Sequence, residues 1–217
     1  MKRILEEGFS LKLSKCECSK KSIEWLGYFI DRNGYKPLHS KVQDNLALTL
    51  PKSLTKLRTF IGSINHLQKF LKGANDLVAD FKDSLSHSNK LKFYWSDLQT
   101  KAFNELINKV AEITQNYHYN PKRQTRLKCD ASKNGLGACL EQQLPSGDWV
   151  PISFASRQLN PQEAKYSTSE LELLAVVWST YHYRFYLYGN RFEINTDHKA
   201  LLSALKANRG NKHISLD

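Results

Sequence analysis

The sequence of 217 residues has few cysteines and no long apolar run. No stretch approaches the roughly 18 consecutive apolar residues that a membrane-spanning helix needs. The first residues lead into the charged pair Glu6-Glu7 instead of the apolar segment of a signal peptide. We therefore expect an intracellular protein that has no membrane partner.

The four cysteines fall into two close pairs, Cys16 with Cys18 and Cys129 with Cys139. Neither pair has the Cys-x-x-Cys spacing of a zinc site, and the chain lacks the cysteine pattern of a disulfide framework. We expect four free thiols.

Acidic side chains are outnumbered, since 32 Lys and Arg face 21 Asp and Glu and the formal net charge is +11. Such a surface attracts polyanions, and no basic amphipathic helix favours a membrane instead. Nucleic acid is the favoured partner, although a merely solvated basic surface has the same composition. The 41% hydrophobic content is enough for one large domain or two small ones.

The first half of the chain reads as a hairpin followed by helices. Residues 23–36 predict two short strands around the turn signal Asn33-Gly34. Helical texture runs over residues 40–81, and one amphipathic helix is marked there by apolar residues spaced three and four apart: Leu54, Leu57, Phe60, Ile61, Ile64 and Leu67. A further helix is expected over residues 98–113.

The second half changes to a strand pattern. Strands are expected over residues 125–130, 135–143 and 149–155, then a helix over 167–188 and a strand over 192–197. The helix begins with the capping box Ser167-x-x-Glu170. The order βββαβ predicts an α/β (α+β) fold with a mixed sheet, because a strand reached through a helix crossover normally lies parallel to its neighbour.

Three carboxylates stand at comparable places in this pattern. Asp130 ends the first strand, Glu172 lies in the first turns of the helix, and Asp197 ends the last strand. If those two strands are parallel neighbours, their ends meet, and the helix start brings a third carboxylate beside them. Such a trio suits Mg²⁺ or Mn²⁺, and two ions can hydrolyse a phosphodiester. Taken alone, however, carboxylates at strand ends are more often solvated loop residues.

The surrounding residues form ordered blocks: Cys129-Asp130-Ala131-Ser132, Gly135-Leu136-Gly137-Ala138, Phe154-Ala155-Ser156-Arg157, Tyr166-Ser167-Thr168, Glu170-Leu171-Glu172-Leu173-Leu174-Ala175 and Thr196-Asp197-His198-Lys199-Ala200-Leu201. In this order, over about residues 91–205, they resemble the ribonuclease H domain of gypsy-type LTR retrotransposon reverse transcriptases. The resemblance implies that Asp130, Glu172 and Asp197 are catalytic ligands of two Mg²⁺ (or Mn²⁺) ions. It also implies hydrolysis of the RNA strand of RNA:DNA hybrids.

Two nearby residues are set apart from this site. Glu170 stands at the third helical position after Ser167, where its side chain can return to the cap, so Glu172 is left for chemistry. His198 is interpreted as a polar surface residue, with a ligand or proton-shuttle role as the alternative.

The N-terminal half has its own ordered segments: Leu11-Lys12-Leu13-Ser14-Lys15-Cys16, Trp25-Leu26-Gly27-Tyr28 and Leu57-Arg58-Thr59-Phe60-Ile61-Gly62. They resemble the end of the palm and the thumb of the same reverse transcriptases, which implies nucleic-acid roles for Leu26, Gly27, Tyr28 and Arg58. The alternative is a hairpin and helix that merely pack. Where that family has two aromatics and paired basic residues, this chain has His66-Leu67-Gln68-Lys69.

The resemblance divides the chain into a palm-end and thumb segment, residues 1–90, and a ribonuclease H-like domain, residues 91–217. The sequence has no Asp-Asp dipeptide, which the Tyr-x-Asp-Asp turn of polymerases requires, so we expect no polymerisation by this chain alone. The family continues past Asp197 through a strand and helix with a fourth acidic ligand, and we assign that role to no residue here, Asp217 included. We therefore expect a piece truncated at both ends that cleaves poorly by itself.

The expected partners are an RNA:DNA hybrid, template-primer duplex and the rest of a Pol polyprotein that also has RNA-directed DNA polymerase activity. The expected compartment is the cytoplasm, within virus-like particles. The alternative function is a non-catalytic nucleic-acid-binding relic or domesticated protein, which would keep the fold and basic surface without turnover.

Overall fold

The computed structural model describes residues 2–10, 12, 14, 16–81, 84–85, 93 and 95–196. The helices are α1 Lys2–Glu6, α2 His39–Leu46, α3 Leu54–Leu67, α4 Ala74–Ala79, α5 Asp97–Ala111, α6 Thr168–His182 and α7 Arg184–Leu187. The strands are β1 Ser22–Trp25, β2 Tyr28–Asp31, β3 Gly34–Pro37, β4 Asn116–Tyr117, β5 Thr125–Ala131, β6 Gly135–Gln143, β7 Trp149–Gln158 and β8 Phe192–Asn195. Within this described part, none of the helices combines the length and the apolar character needed to span a bilayer.

The first sheet is antiparallel, in the order β1-β2-β3-β4. The prediction of two strands over residues 23–36 was wrong, because a second tight turn at Leu26-Gly27 divides the segment into three strands. Both turn residues have positive φ, 47° and 85°. Leucine rarely adopts this backbone conformation, so Leu26-Gly27 lacks the usual residue pattern of a hairpin turn.

The helices α3, α4 and α5 share one apolar core. Ser53 caps α3 by accepting a hydrogen bond from the backbone N–H of Lys56, and the apolar face then turns inward. The side chains that the three helices bury in this shared core are Leu57, Phe60, Ile64 and Leu67 of α3, Ala74 and Val78 of α4, and Ala102, Phe103, Leu106 and Val110 of α5. The domain boundary near residue 90 stays a prediction, but α5, which follows it, packs with the helices that precede it.

The second sheet has the order β7-β6-β5-β8, with β8 parallel to β5 and the other pairs antiparallel. The mixed βββαβ sheet is therefore confirmed. Apolar side chains of β5, β6 and β7 alternate toward α6, where Leu127, Leu140 and Ile152 are buried with Ala175. This face forms the core of the second unit.

The helix predicted over residues 167–188 is divided into α6 and α7 at Tyr183. Tyr183 is buried, and its hydroxyl donates a hydrogen bond to the backbone oxygen of Ser153 at 2.9 Å. Burial raises the pKa of Tyr183 well above that of free tyrosine, so the hydroxyl stays a donor. The break is a tertiary effect, because the local sequence alone favours a continuous helix.

We expect Gly34→Ala to destabilise the first sheet strongly. A Cβ atom at Gly34 would lie 1.9 Å from the backbone oxygen of Asn116, and backbone cannot move aside as a flexible side chain can. The expected loss in free energy of unfolding is about 3 kcal/mol, measured by urea denaturation.

The matched control is Gly62→Ala in the interior of α3, where a Cβ atom meets nothing within 4 Å. Alanine is favoured over glycine in a helix by roughly 0.5–1 kcal/mol, so this variant is expected to be more stable than wild type. Equal stability of the two variants would contradict the close approach of β3 and β4.

Candidate active site and nucleic-acid surface

Asp130 is the penultimate residue of β5 and is exposed. The strand continues one residue further than predicted, to Ala131. Side chains of a strand alternate between faces, and Cys129 is buried toward α6, so Asp130 belongs to the opposite face. On that face, Glu141 of β6 accepts from Lys128 Nζ at 3.1 Å and from Arg126 Nε at 2.5 Å. Asp130 is therefore the last of the charged side chains Arg126, Lys128 and Asp130, which follow one another on this face of β5.

Glu170 and Glu172 have different environments, as the capping argument predicted. The Glu170 carboxylate accepts hydrogen bonds from the backbone N–H and the hydroxyl of Ser167 at 2.7 and 2.8 Å, and these bonds lower the pKa of Glu170. Glu172 is instead buried, with 6% of its surface exposed. Glu170 is thus engaged at the helix cap, while Glu172 points into the protein.

Glu172 lies near the end of β5. The pKa of the Cys129 thiol is raised to about 11, first by burial and further by the negative charge of Glu172, while the hydrogen bond with Ser179 acts in the opposite direction. Cys129 directly precedes Asp130, so Glu172 lies beside the end of β5 that bears Asp130. Cys129 forms no disulfide, and neither do Cys16, Cys18 and Cys139, which confirms four free thiols.

Asp197 and His198 lie outside the described residues, as does Asp217. The strand that leads toward Asp197 is described: β8 runs parallel to β5, and its last residue, Asn195, is in register with Lys128. Within residues 2–196, as far as they are described, no group of three His, Cys, Asp or Glu side chains is placed to hold a metal ion. The predicted trio is therefore represented here by two of its members.

A cleft of about 300 Å³ opens beside Asp130, between the outer face of the second sheet and the segment that leads into α4. Its charged lining includes Lys72, Asp76, Lys128 and Glu141 as well as Asp130. Sequence reasoning missed Lys72 and Asp76. No motif marks them, and only the packing of α4 on β7 brings them to the strand end.

The four residues with predicted nucleic-acid roles lie at one end of the first sheet and on α3. Leu26 is 67% exposed at the tight turn, and Gly27 sits over the His66 ring, which a Cβ atom would approach to 3.1 Å. Tyr28 stacks on His66 at 4.9 Å between ring centroids, and its hydroxyl donates to the His66 backbone oxygen at 3.2 Å. Arg58 is exposed on α3.

This arrangement joins the turn to the C-terminal end of α3. An exposed leucine held at positive φ is a strained feature of the kind that accumulates at binding sites. Gly27 and Tyr28 contact His66, as expected if the hairpin and the helix merely pack. Leu26 and Arg58 instead have exposed side chains. The structure thus gives the four residues two kinds of environment.

Comparison with known proteins gives three concordant findings. Residues 95–194 match the family model described as the RNase H-like domain found in reverse transcriptase. The chain is 27% identical over 207 residues to the transposon Tf2-3 and Tf2-4 polyproteins of Schizosaccharomyces pombe, which covers 94% of this chain and 15% of each polyprotein. The chain therefore spans a small part of the length of these relatives.

Solved structures of foamy viral protease-reverse transcriptase share the fold. The form designated dRH, in complex with ds DNA, superposes with a TM-score of 0.72 at 18% identity, over 94% of this chain and 36% of that chain. The complex with RNA/DNA hybrid superposes with a TM-score of 0.71 at 17% identity, over 97% of this chain and 29% of that chain. At this level of identity, the likeness concerns the fold.

Proposed function

Because this chain belongs to the reverse transcriptases of LTR retrotransposons and carries their RNase H-like domain at residues 95–194, we propose that it hydrolyses the RNA strand of RNA:DNA hybrids. Asp130, Glu172 and Asp197 are proposed as the ligands of two Mg²⁺ or Mn²⁺ ions. The observation that carries this proposal is the buried Glu172 carboxylate, which lies next to the strand end that bears Asp130. A carboxylate at this place can offer a divalent cation the oxygen ligands that it prefers.

The residues present fit a hard divalent cation. All three proposed ligands offer carboxylate oxygens, which Mg²⁺ and Mn²⁺ prefer over nitrogen or sulfur. Two such ions would activate a water molecule and stabilise the leaving oxygen of the phosphodiester. The parallel pairing of β5 with β8 supports the inclusion of Asp197, which follows Asn195 by two residues.

The contribution of the protein to this chemistry is to hold the proposed metal ligands in place. Asp130 is fixed by its register with Gly137 in the middle of the sheet, and Glu172 is fixed by the packing of α6 on β5 and β6. Ligands on regular elements lose little freedom when they bind, and this preorganisation is the protein's part in the rate. Glu170 holds the start of α6 through its cap, so its role is in stability.

The substrate is proposed to be an RNA:DNA hybrid, and the wider ligand is template-primer duplex. Three observations support this: the net charge of +11, the exposed Arg58 on α3, and the structural relatives, which are complexes with ds DNA and with RNA/DNA hybrid. RNA-directed DNA polymerase activity is proposed for the polyprotein as a whole, as is a cytoplasmic location within virus-like particles.

The second candidate function is nucleic-acid binding without catalysis, in a relic or a domesticated protein. It is supported by the net charge of +11, because binding to nucleic acid requires only a basic surface and no metal. The two candidates share the basic surface and the fold. They differ in whether the carboxylates bind metal.

A thermal melt tests metal binding directly. Clustered carboxylates repel one another until a cation neutralises them, so Mg²⁺ or Mn²⁺ should stabilise the folded chain. At about 100 times its Kd, a ligand adds about 2.7 kcal/mol, which raises Tm by several degrees in a protein of this size. We expect this rise in wild type and a smaller one in Asp130→Asn.

Asp148→Asn is the matched control, because Asp148 is an exposed aspartate in the turn between β6 and β7. It should keep the full wild-type rise in Tm. Equal rises in wild type and Asp130→Asn would remove Asp130 from the site.

A further inference from the structure

The loop that follows Asp130 is organised around one hydroxyl group. Ser132 Oγ accepts hydrogen bonds from the backbone N–H groups of Asn134 and Gly135 at 3.2 and 3.0 Å. The Ser132 backbone N–H donates to the Gly135 oxygen at 2.8 Å, which closes the turn between β5 and β6. With two acceptor positions filled, the hydroxyl has one proton left to donate.

Two acceptors lie within reach of that proton, the Gly135 backbone oxygen at 3.2 Å and a closer carboxylate. The carboxylate comes from the helical unit, the helices α3, α4 and α5 that share one apolar core. Ser132 Oγ donates to Asp76 Oδ1 at 2.5 Å, and both side chains are half-buried. A charged acceptor makes such a hydrogen bond stronger than a neutral one. Asp76 belongs to α4, 56 positions away along the chain, so the contact joins the helical unit to the β5–β6 turn.

The space around this turn is filled on the other side as well. A Cβ atom at Gly135 would lie 2.7 Å from the backbone oxygen of Arg157 and 3.6 Å from Asp76 Oδ1. The turn is therefore enclosed between β7 and α4. Glycine allows this close approach, and the turn cannot move toward either neighbour.

A second contact joins Gln68 to the cross-strand row of Asp130, which is the set of residues in register with Asp130 on the neighbouring strands. Asp130 is in register with Gly137, and Gly137 is in register with Ser156 on β7. Gln68 Nε2, just after α3, donates to the backbone oxygen of Ser156 at 2.6 Å and to its hydroxyl at 3.0 Å. Two contacts thus connect the helical side of the molecule to the end of β5. Gln68 bonds Ser156, in the cross-strand row of Asp130, and Asp76 bonds Ser132 in the β5–β6 turn.

We propose that Asp76 is a positioning residue: through Ser132 it fixes the β5–β6 turn, and with it the orientation of Asp130, relative to the helical unit. The consequence for metal binding rests on the function proposed above. Because α3, which bears Arg58, and α4, which bears Asp76, share one apolar core, the contact also fixes the position of Asp130 relative to Arg58.

Amide hydrogen exchange on the full chain tests the contact without any need for catalysis. Asp76→Ala and Ser132→Ala should each speed exchange at the amides of Asn134 and Gly135 on the order of tenfold, because the serine bonds that protect them are weakened or removed. The amide of Leu140, in the middle of β6, should exchange as in wild type. Asp76→Asn retains an acceptor oxygen and should retain wild-type protection.

The second readout is the Mg²⁺ concentration that gives half of the full rise in Tm. It should increase severalfold in Asp76→Ala and return toward the wild-type value in Asp76→Asn, which separates position from charge. Asp44→Ala, at an exposed aspartate on α2, is the control and should change neither readout.

Unchanged exchange at Asn134 and Gly135 in Asp76→Ala would overturn the proposal. Faster exchange with an unchanged Mg²⁺ requirement would also overturn it, since the contact would then be structural only. If this Mg²⁺ concentration rises equally in Asp76→Ala and Asp76→Asn, the effect is due to the charge of Asp76, and a positioning role is excluded. If wild type shows no Mg²⁺-dependent rise in Tm, the proposed metal site fails, and exchange alone decides whether Asp76 fixes the turn.

Discussion

Glu172→Gln is expected to lower the rate of RNA-strand cleavage by on the order of 10²- to 10³-fold while hybrid binding is retained. The substitution keeps the shape of the side chain and removes the charge that a divalent cation requires, at a site with only 6% exposure. The measurement is a labelled RNA:DNA hybrid with Mg²⁺ and an excess of protein. Single-turnover conditions followed over hours allow even slow cleavage to be measured.

The matched control for this prediction lies two residues away. Glu170 belongs to the same helix but bonds Ser167 at the cap, so Glu170→Gln should lower stability slightly and leave the cleavage rate nearly unchanged. Asp130→Asn should behave as Glu172→Gln. A rate lost in Glu170→Gln and kept in Glu172→Gln would exchange the assigned roles of the two glutamates.

The same assay separates the two candidate functions. Hybrid binding without any cleavage by wild type, at every Mg²⁺ or Mn²⁺ concentration, would favour the non-catalytic binder. Rapid turnover by the 217-residue chain, abolished by Asp130→Asn, would support the nuclease and show that the expectation of poor cleavage was wrong. Turnover that survives Asp130→Asn and Glu172→Gln would point to a contaminating nuclease.

The parts of the fold that were predictable depend on local patterns. The bounds of β6 and the start of α6 follow from turn residues, alternation and the capping box around Ser167, all within a few positions of one another. The parallel pairing of β5 with β8 follows from a general rule about helix crossovers. These signals are strong because each is repeated along its element.

The parts that were missed depend on contacts between distant residues. The turn that holds Leu26 at positive φ packs through Gly27 against His66, and the helix break at Tyr183 coincides with the hydrogen bond from its hydroxyl to Ser153. Neither partner is near in sequence. Asp76 is the same kind of case, since nothing in α4 indicates that its carboxylate meets Ser132.

The candidate site shows the same division. The assignment of Asp130 and Glu172 as metal ligands from motif order stays a prediction, while the separate environments of Glu170 and Glu172 agree with the capping argument. The burial of Glu172 was not predicted, because it depends on the packing of α6 on β5 and β6. The cleft beside Asp130 was missed entirely, since one of its walls is the segment before α4.

Affinity for an RNA:DNA hybrid or duplex is expected to be micromolar or weaker and to fall steeply with salt. Each phosphate contact releases counterions with a log-log slope of about −0.9 on duplex DNA, so roughly four to six contacts predict a loss on the order of 10²- to 10³-fold between 50 and 200 mM salt. The measurement is fluorescence anisotropy of a labelled hybrid over a salt series. Salt-independent binding, or none in dilute buffer, would contradict the nucleic-acid interpretation of the +11 charge.

Arg58→Ala tests whether that binding is localised on α3. Removal of one phosphate contact should make the salt slope shallower by about 0.9 and weaken binding at low salt. Lys109→Ala removes the same charge from α5, where Lys109 lies 3.9 Å from Glu105 and forms a helix surface pair. Its slope should equal that of wild type, because a cation already paired on the helix surface contributes little to a phosphate contact elsewhere. Equal changes in the two variants would show that the basic surface acts diffusely and that α3 does not hold the duplex.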